Sequence, residues 1–454
     1  MWNRIDFGGR MRCCMVGERS PALVGDKVGR RAWAMLAVLS LVNLFAAVDR
    51  YNFSLVMEPM REELGASDAQ MGLLGGAAFV LCYATFSLPM ARLADHGNRR
   101  VLLAGAVGVW SLFAMLNGFA TNIWHAAVSR IGLGLAEAAG PPTSLSLISE
   151  SFGNAKRHVA VSIFQGGAAV GALVGVPIAG LIAHSHGWRA PFIVFGILGL
   201  VVAVVVWLVV RENPARARPQ ERSSGKSTFM SDGRLLLKDR RFFWLFVSQL
   251  SVGIPVGVMP VWLTAFMMRK FGIDLWLGAL MNALFFGAIM LVGYVGSGYL
   301  LAYVIGRTGN QSLGARLPGL VAIASVPFAI GMLLAPTFNL FVGMAAVFFL
   351  LLFSSRTAAS TLALDFAPDR LRGLATALIL AAVSIVGGGL APWAVGALSD
   401  RLGGLHSNAG ALEWALMAAI PLPVLISGIF LIFTSSAMVI STEKQYLGRA
   451  ECLN

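Results

Sequence analysis

Charge is the scarcest property of this sequence. Asp, Glu, Lys and Arg make up 13% of its 454 residues, 57% are hydrophobic, and the mean hydropathy is +0.75. A soluble domain carries about 25% charged residues, so a water-facing surface for a chain of this size is excluded. Cysteine is nearly absent: Cys13 and Cys14 are adjacent, Cys82 lies within an apolar run, and Cys452 is near the end. That spacing excludes a disulfide framework and a cysteine metal site. The six histidines (His96, His125, His158, His184, His186 and His406) are scattered. No nucleophile, base and orienting acid stand together, and no phosphate-cradling glycine loop is visible. The sequence therefore predicts no catalytic residue, no metal and no organic cofactor.

Long apolar runs are what is present. Stretches of about 20 predominantly apolar residues are transmembrane helix candidates. Twelve occur, at 32–57, 71–93, 101–120, 123–149, 159–183, 191–210, 242–266, 277–303, 317–335, 339–364, 374–398 and 411–440. Residues 1–31 are polar and precede a run long enough to span a bilayer, so no cleavable signal peptide is expected. The predicted fold is an all-α membrane protein of twelve transmembrane helices in two pseudo-symmetric six-helix bundles. Its organisation is an N-terminal tail (1–31), a first bundle (32–210), a polar linker (211–241), a second bundle (242–440) and a C-terminal tail (441–454).

The net charge of +13 would suit a nucleic-acid binder, but the positions of the basic residues exclude that use. With alternating spans, 27 of the 35 Lys and Arg fall on the side of the N-terminus, and only Arg61, Arg189, Arg269, Lys270 and Arg401 on the other. By the positive-inside rule both tails and the linker are cytoplasmic, and a bacterial inner membrane is the expected location. The halves also resemble each other: at a shift of 215 residues Glu150, Arg157, Ala160 and Pro177 superpose on Asp365, Arg372, Ala375 and Pro392. Parallel repeats of this kind are a pattern of secondary transporters.

Ionisable groups inside the spans cost roughly 2.5–3.5 kcal/mol each at the helix centre, so those that remain are candidates for function. They are Asp49, Arg50, Arg130, Glu137 and Arg356. At about 1.5 Å rise per residue, Asp49 and Arg130 reach a similar depth, roughly 10–12 Å from the outer boundary, and are expected to pair. Glu137 lies two turns deeper. These groups suit a relay in which a carboxylate takes up a proton and frees an arginine for an anionic substrate; the alternative is a static ion pair between helices. Arg50 is expected to snorkel outward or to pair with Glu58, and Arg356 to hold substrate from the second half or to lock its own helix.

Three segments rich in glycine and proline are predicted hinges: Gly171, Gly175 and Pro177; Gly253 and Pro255, where the seventh helix is expected to bend or break; and Gly388 and Pro392. Between the second and third helices, ARLADHGNRRVLL (91–103) resembles the signature loop of the major facilitator superfamily, G-x-L-A-D-R-x-G-R-R, through Leu93, Ala94, Asp95, Arg99 and Arg100. Asn98 stands where that loop has glycine and is expected, with Gly97, to supply its left-handed turn. Asp95, Arg99 and Arg100 form a candidate conformational latch; the alternative is a solvated loop.

Three passages are similar to the spinster family of lysolipid and sphingolipid transporters: VDRYNFS with Asp49 and Arg50, the run RIGLGLAEAAGPPTSLSLISESF (130–152), and GLAPWAVGALSDRLG (389–403). The resemblance implies proton coupling at Asp49 and Glu137 and head-group binding at Arg130. The expectation is a monomeric, proton-driven secondary transporter working by alternating access. Its substrate would be an amphipathic anion such as a lysophospholipid, with Arg130, Arg50 and Arg356 binding it. A symporter of small organic anions such as sugar acids, a multidrug exporter, a non-transporting receptor and a lipid-modifying enzyme are the alternatives.

Overall fold

The computed structural model describes residues 29–211, 229–308, 312–366, 371–403 and 408–451. The predicted N-terminal tail up to residue 28 and most of the linker lie outside these. Among the described residues there is no strand, and eleven helices are long and apolar enough to cross a membrane. In chain order they are α1 (Arg30–Leu55), α2 (Asp68–Ala94), α3 (Arg99–Gly118), α5 (Val159–His186), α6 (Arg189–Val209), α7 (Arg240–Phe271), α8 (Leu275–Thr308), α9 (Leu313–Leu334), α10 (Phe338–Arg356, its helix continuing to Phe366), α11 (Leu374–Leu402) and α12 (Gly410–Ser436).

The twelfth predicted span, α4, is not one helix. It is two pieces, Ile123–Glu137 and Gly140–Ser151, each too short to cross alone. Pro141 and Pro142 begin the second piece. Neither has an N–H to give, so the carbonyls of Glu137 and Ala138 lose the bonds a continuous helix would make. The chain instead turns through Ala138 and Ala139, whose N–H groups reach back to Gly134 and Ala136. The break therefore falls directly after Glu137.

We call the end of the bundle where α1 begins the near end and the opposite one the far end. Successive helices alternate, so α2, α4, α6, α8, α10 and α12 descend to the near end. The short helix Met57–Leu64 lies across the far end between α1 and α2. The first six and last six spans approach closely at two crossings. In one, α2 meets α11: a Cβ on Gly72 would stand 2.3 Å from the Pro392 carbonyl oxygen, and one on Gly76 2.6 Å from that of Gly389. In the other, α5 meets α8: a Cβ on Gly180 would stand 2.2 Å from that of Ala279. Only glycine lets backbones come this near. α5, α8 and α11 each widen into a π-helical stretch, at Gly171–Gly175, Leu284–Ile289 and Val383–Leu390. Two of these hold the predicted hinge residues Gly171, Gly175 and Gly388, with Pro177 and Pro392 just beyond; the one in α8 has no counterpart among the predicted hinges. The expected break of α7 does not occur. Arg240–Phe271 is a single α-helix that carries Gly253, Pro255 and Pro260 within it.

Candidate functional site

Asp49 and Arg50 are consecutive on α1, so their side chains leave the helix about 100° apart. Arg50 turns inward. Its Nη1 donates to Oε1 of Glu137, the last residue before the break in α4, and this ion pair joins α1 to α4. The pairing with Glu58 expected for Arg50 is not formed; Glu58 binds Arg61 and Arg269 instead. The side chain of Glu137 is 2% exposed and that of Arg50 37%, so the arginine shields the carboxylate and itself faces open space.

That space is a cavity of about 280 Å³ whose wall comes from the first six spans. Val42, Asn43, Ala46 and Arg50 of α1 form one side, Tyr83 of α2 and Trp110 of α3 another. Glu137, Gly140, Pro141, Ser144 and Leu145 follow from α4, and Phe164, Gln165 and Ala168 from α5. Asn43 donates to the Phe164 carbonyl at 2.9 Å and fixes α1 against α5.

The predicted pair of Asp49 with Arg130 is not formed. Arg130 is buried, its Nε donates to the Leu74 carbonyl at 3.1 Å, and its guanidinium lies 4.4 Å from the ring centre of Phe53 and 5.1 Å from that of Phe79. Two aromatic faces and one carbonyl are its direct contacts, and among the described residues no carboxylate stands at ion-pair distance from it. Asp49 is buried behind the cavity wall and accepts no hydrogen bond from the described residues. The depth argument set Asp49, Arg130 and Glu137 along one path, but it could not resolve azimuth, and it gave Arg50 a different direction from the one it takes. Arg356, half-buried on α10, is not part of the cavity wall.

The signature-like loop is built differently from expectation. Neither Gly97 nor Asn98 is left-handed; Asn98 instead caps α3, its side-chain oxygen accepting the Val101 N–H at 3.0 Å. Arg99 pairs with Glu150 at the end of α4 and donates from Nε to the Ala94 carbonyl at 2.8 Å. Arg100 stacks 4.3 Å over Trp207. The side chain of Asp95 lies outside the described residues.

An interaction that the sequence reading missed closes the far end. Arg269 at the end of α7 grips Asp68 at the start of α2 with both arms, at 2.7 and 2.6 Å, and reaches Glu58 at 2.7 Å. Ser399 donates to Asp68 at 2.6 Å, and Asp400 accepts the N–H groups of Asp68 and Ala69 at 2.9 and 2.8 Å, capping α2 from α11. The signal was there: Ser-Asp before a helix is a cap motif, and Arg269 was one of five cations on the sparse side.

A cavity against a broken helix, walled by intramembrane charges and set in twelve spans, is transporter architecture, and residues 39–392 match the description of the Major Facilitator Superfamily. The chain belongs to that superfamily. It is a multi-pass integral membrane transporter, not an enzyme. Among major facilitator relatives, it is 28% identical over 385 residues to an MFS-type efflux pump of Mycolicibacterium smegmatis, with 82% of this chain and 86% of that one covered. It is 25% identical over 452 residues to protein spinster homolog 1 of Xenopus tropicalis, with 94% and 85% covered. The crystal structure of a bacterial homolog of the lysosomal transporter spinster, in an inward-facing and unoccupied conformation, superposes with a TM-score of 0.76 at 23% identity, covering 91% of this chain and 97% of that one; the likeness is one of fold.

Proposed function

We propose that this protein is a proton-coupled carrier working by alternating access, with an amphipathic anion such as a lysophospholipid as its substrate. The observation that carries the reading is the Arg50–Glu137 pair on the cavity wall. Protonation of Glu137 removes the charge that holds Arg50, and the freed guanidinium takes the anionic group of the substrate. Loss of the proton restores the pair and expels the anion. Asp49 and Arg130, buried behind the wall, form a second acid and cation that respond to the same proton; Arg356 offers a further cation from the second half. Asp95, Arg99 and Arg100 act as a latch at the near end, which is assigned to the cytoplasm of a bacterial inner membrane with both termini, and the π-helical stretches with Gly253 and Pro255 act as hinges. The carrier is assigned as a monomer.

The test is transport in liposomes with a pH gradient and labelled lysophosphatidylglycerol. Glu137→Gln keeps exchange of substrate across the membrane but loses accumulation driven by the gradient. Gradient-driven accumulation equal to that of the unaltered protein overturns the assignment. The likeness to a protein named an efflux pump favours one second reading, drug export. A thermal-shift comparison of lysophosphatidylglycerol, glucuronate and a rhodamine dye separates the readings, since stabilisation by the dye alone supports the exporter.

A further inference from the structure

Two side chains on the cavity wall carry polar atoms that the protein leaves unused. Trp110 of α3 is 1% exposed and Ser144 of α4 0%, and neither the indole Nε1 nor the Ser144 Oγ has a hydrogen-bond partner. A buried donor without a partner forfeits about 1–3 kcal/mol, and native structures keep few such groups. Both stand beside the same stretch of α4. Trp110 packs over Gly140, where an added Cβ would stand 3.4 Å from its ring, and Ser144 is one turn beyond Gly140 on the same face of α4. Both line the same cavity as Arg50 and Glu137.

Their chemistry restricts the ligand. An indole N–H donates only, and a serine hydroxyl swings about one bond to donate wherever an acceptor stands. We infer that Trp110 and Ser144 form a donor pair that receives the oxygens of the substrate's oxyanion, a carboxylate or a phosphate, while Arg50 takes its charge. Three donors around one cavity orient an oxyanion, whereas a cation leaves the guanidinium and the indole N–H unmatched and an apolar group leaves all three. The inference rests on the anionic substrate proposed above and adds to it the residues that select the headgroup.

Binding of lysophosphatidylglycerol and of D-glucuronate is measured on the purified full chain, on Trp110→Phe and on Ser144→Ala. The lysolipid supplies the oxyanion as a lipid headgroup and glucuronate as a free acid, so the probe that binds identifies the source. Each variant weakens that probe by roughly tenfold, the usual worth of a hydrogen bond to a charged group. The pH midpoint of gradient-driven uptake stays where it was, because Glu137 is untouched. Affinities unchanged in both variants overturn the inference and leave the proposed function standing. Equal weakening of a rhodamine cation also overturns it, since that outcome marks a merely structural role. Absence of binding by the unaltered protein to either probe overturns the anionic reading and this inference with it. Ser144→Ala removes one oxygen and little volume, so it carries the test alone should Trp110→Phe fail to fold.

Discussion

The far end and the central cavity both bury arginines against carboxylates, yet they are built on opposite plans. At the far end Arg269 holds both oxygens of Asp68 and one of Glu58, Ser399 adds a further bond, and Asp400 caps α2. These bonds join the first six spans to the last six. In the cavity one arm of Arg50 meets one oxygen of Glu137, Arg50 is 37% exposed, Asp49 behind the wall accepts no hydrogen bond from the described residues, and all three groups belong to the first six spans. Breaking a buried pair with every partner in place leaves charges stranded, at about 3–5 kcal/mol. A pair held by one donor beside water changes state with one proton. The far end is thus built as a lock, and the cavity as a switch.

That contrast breaks most visibly at Arg269. Arg269→Gln strands Asp68 and Glu58, both nearly buried, and is expected to lower stability by about 3–5 kcal/mol or to open the far end. Thermal unfolding reads the first outcome. Maleimide labelling of Ser399→Cys, a buried position in the closed state, reads the second. Adding Asp68→Asn to Arg269→Gln recovers part of the loss; no loss in the single variant removes the lock. Gly72→Ala comes next, because its Cβ would stand 2.3 Å from the Pro392 carbonyl oxygen. Overpacking of this kind costs about 1–3 kcal/mol. Here it falls on the α2–α11 crossing, so labelling of Ser399→Cys rises more than unfolding temperature falls. Glu137→Gln is smaller still in stability, under about 1 kcal/mol, because an amide keeps an acceptor for Arg50. An unfolding temperature within a few degrees of the unaltered protein checks it, and a collapse would make the cavity pair as structural as the lock.

The sequence showed the spans and the identity of the charges within them, because hydropathy and the cost of charge in lipid act residue by residue. It did not show who pairs with whom. Asp49 and Arg130 have matching depth, but direct partners are chosen by azimuth and by competing groups: the Leu74 carbonyl and the rings of Phe53 and Phe79 are the groups that touch Arg130. The break in α4 was written in Pro141 and Pro142, yet an apolar run of 27 residues hid it from a test of length. The lock was harder to see, since Asp68 and Asp400 are 332 residues apart and only the folded α2–α11 crossing brings them together. The hinges lay between these cases. Glycine and proline marked α5 and α11, where the helices do widen, but in α7 the same residues fit a continuous helix.

The smallest expected effect tests where the lock stops. Glu63 is also a far-end acid bound by an arginine: Trp188 Nε1 donates to it at 2.7 Å and Arg189 at 2.6 and 2.7 Å. These partners stand at the start of α6, so the bond stays within the first six spans, and the Glu63 side chain is 51% exposed. The Trp188 hydrogen bond, with those of Arg189, holds the Glu63 carboxyl below its ordinary 4.5. A lowered folded value means stabilisation that is complete above the unfolded value and fades as pH falls through the folded one. An exposed pair contributes under about 1 kcal/mol. Glu63→Gln should therefore cost at most a degree or two at pH 7, with the difference closing below about pH 4 as the unaltered protein is protonated. Labelling of Ser399→Cys should not change. A rise in labelling would place Glu63 and the α6 contact inside the lock, and the boundary between lock and scaffold would move outward to the short helix Met57–Leu64.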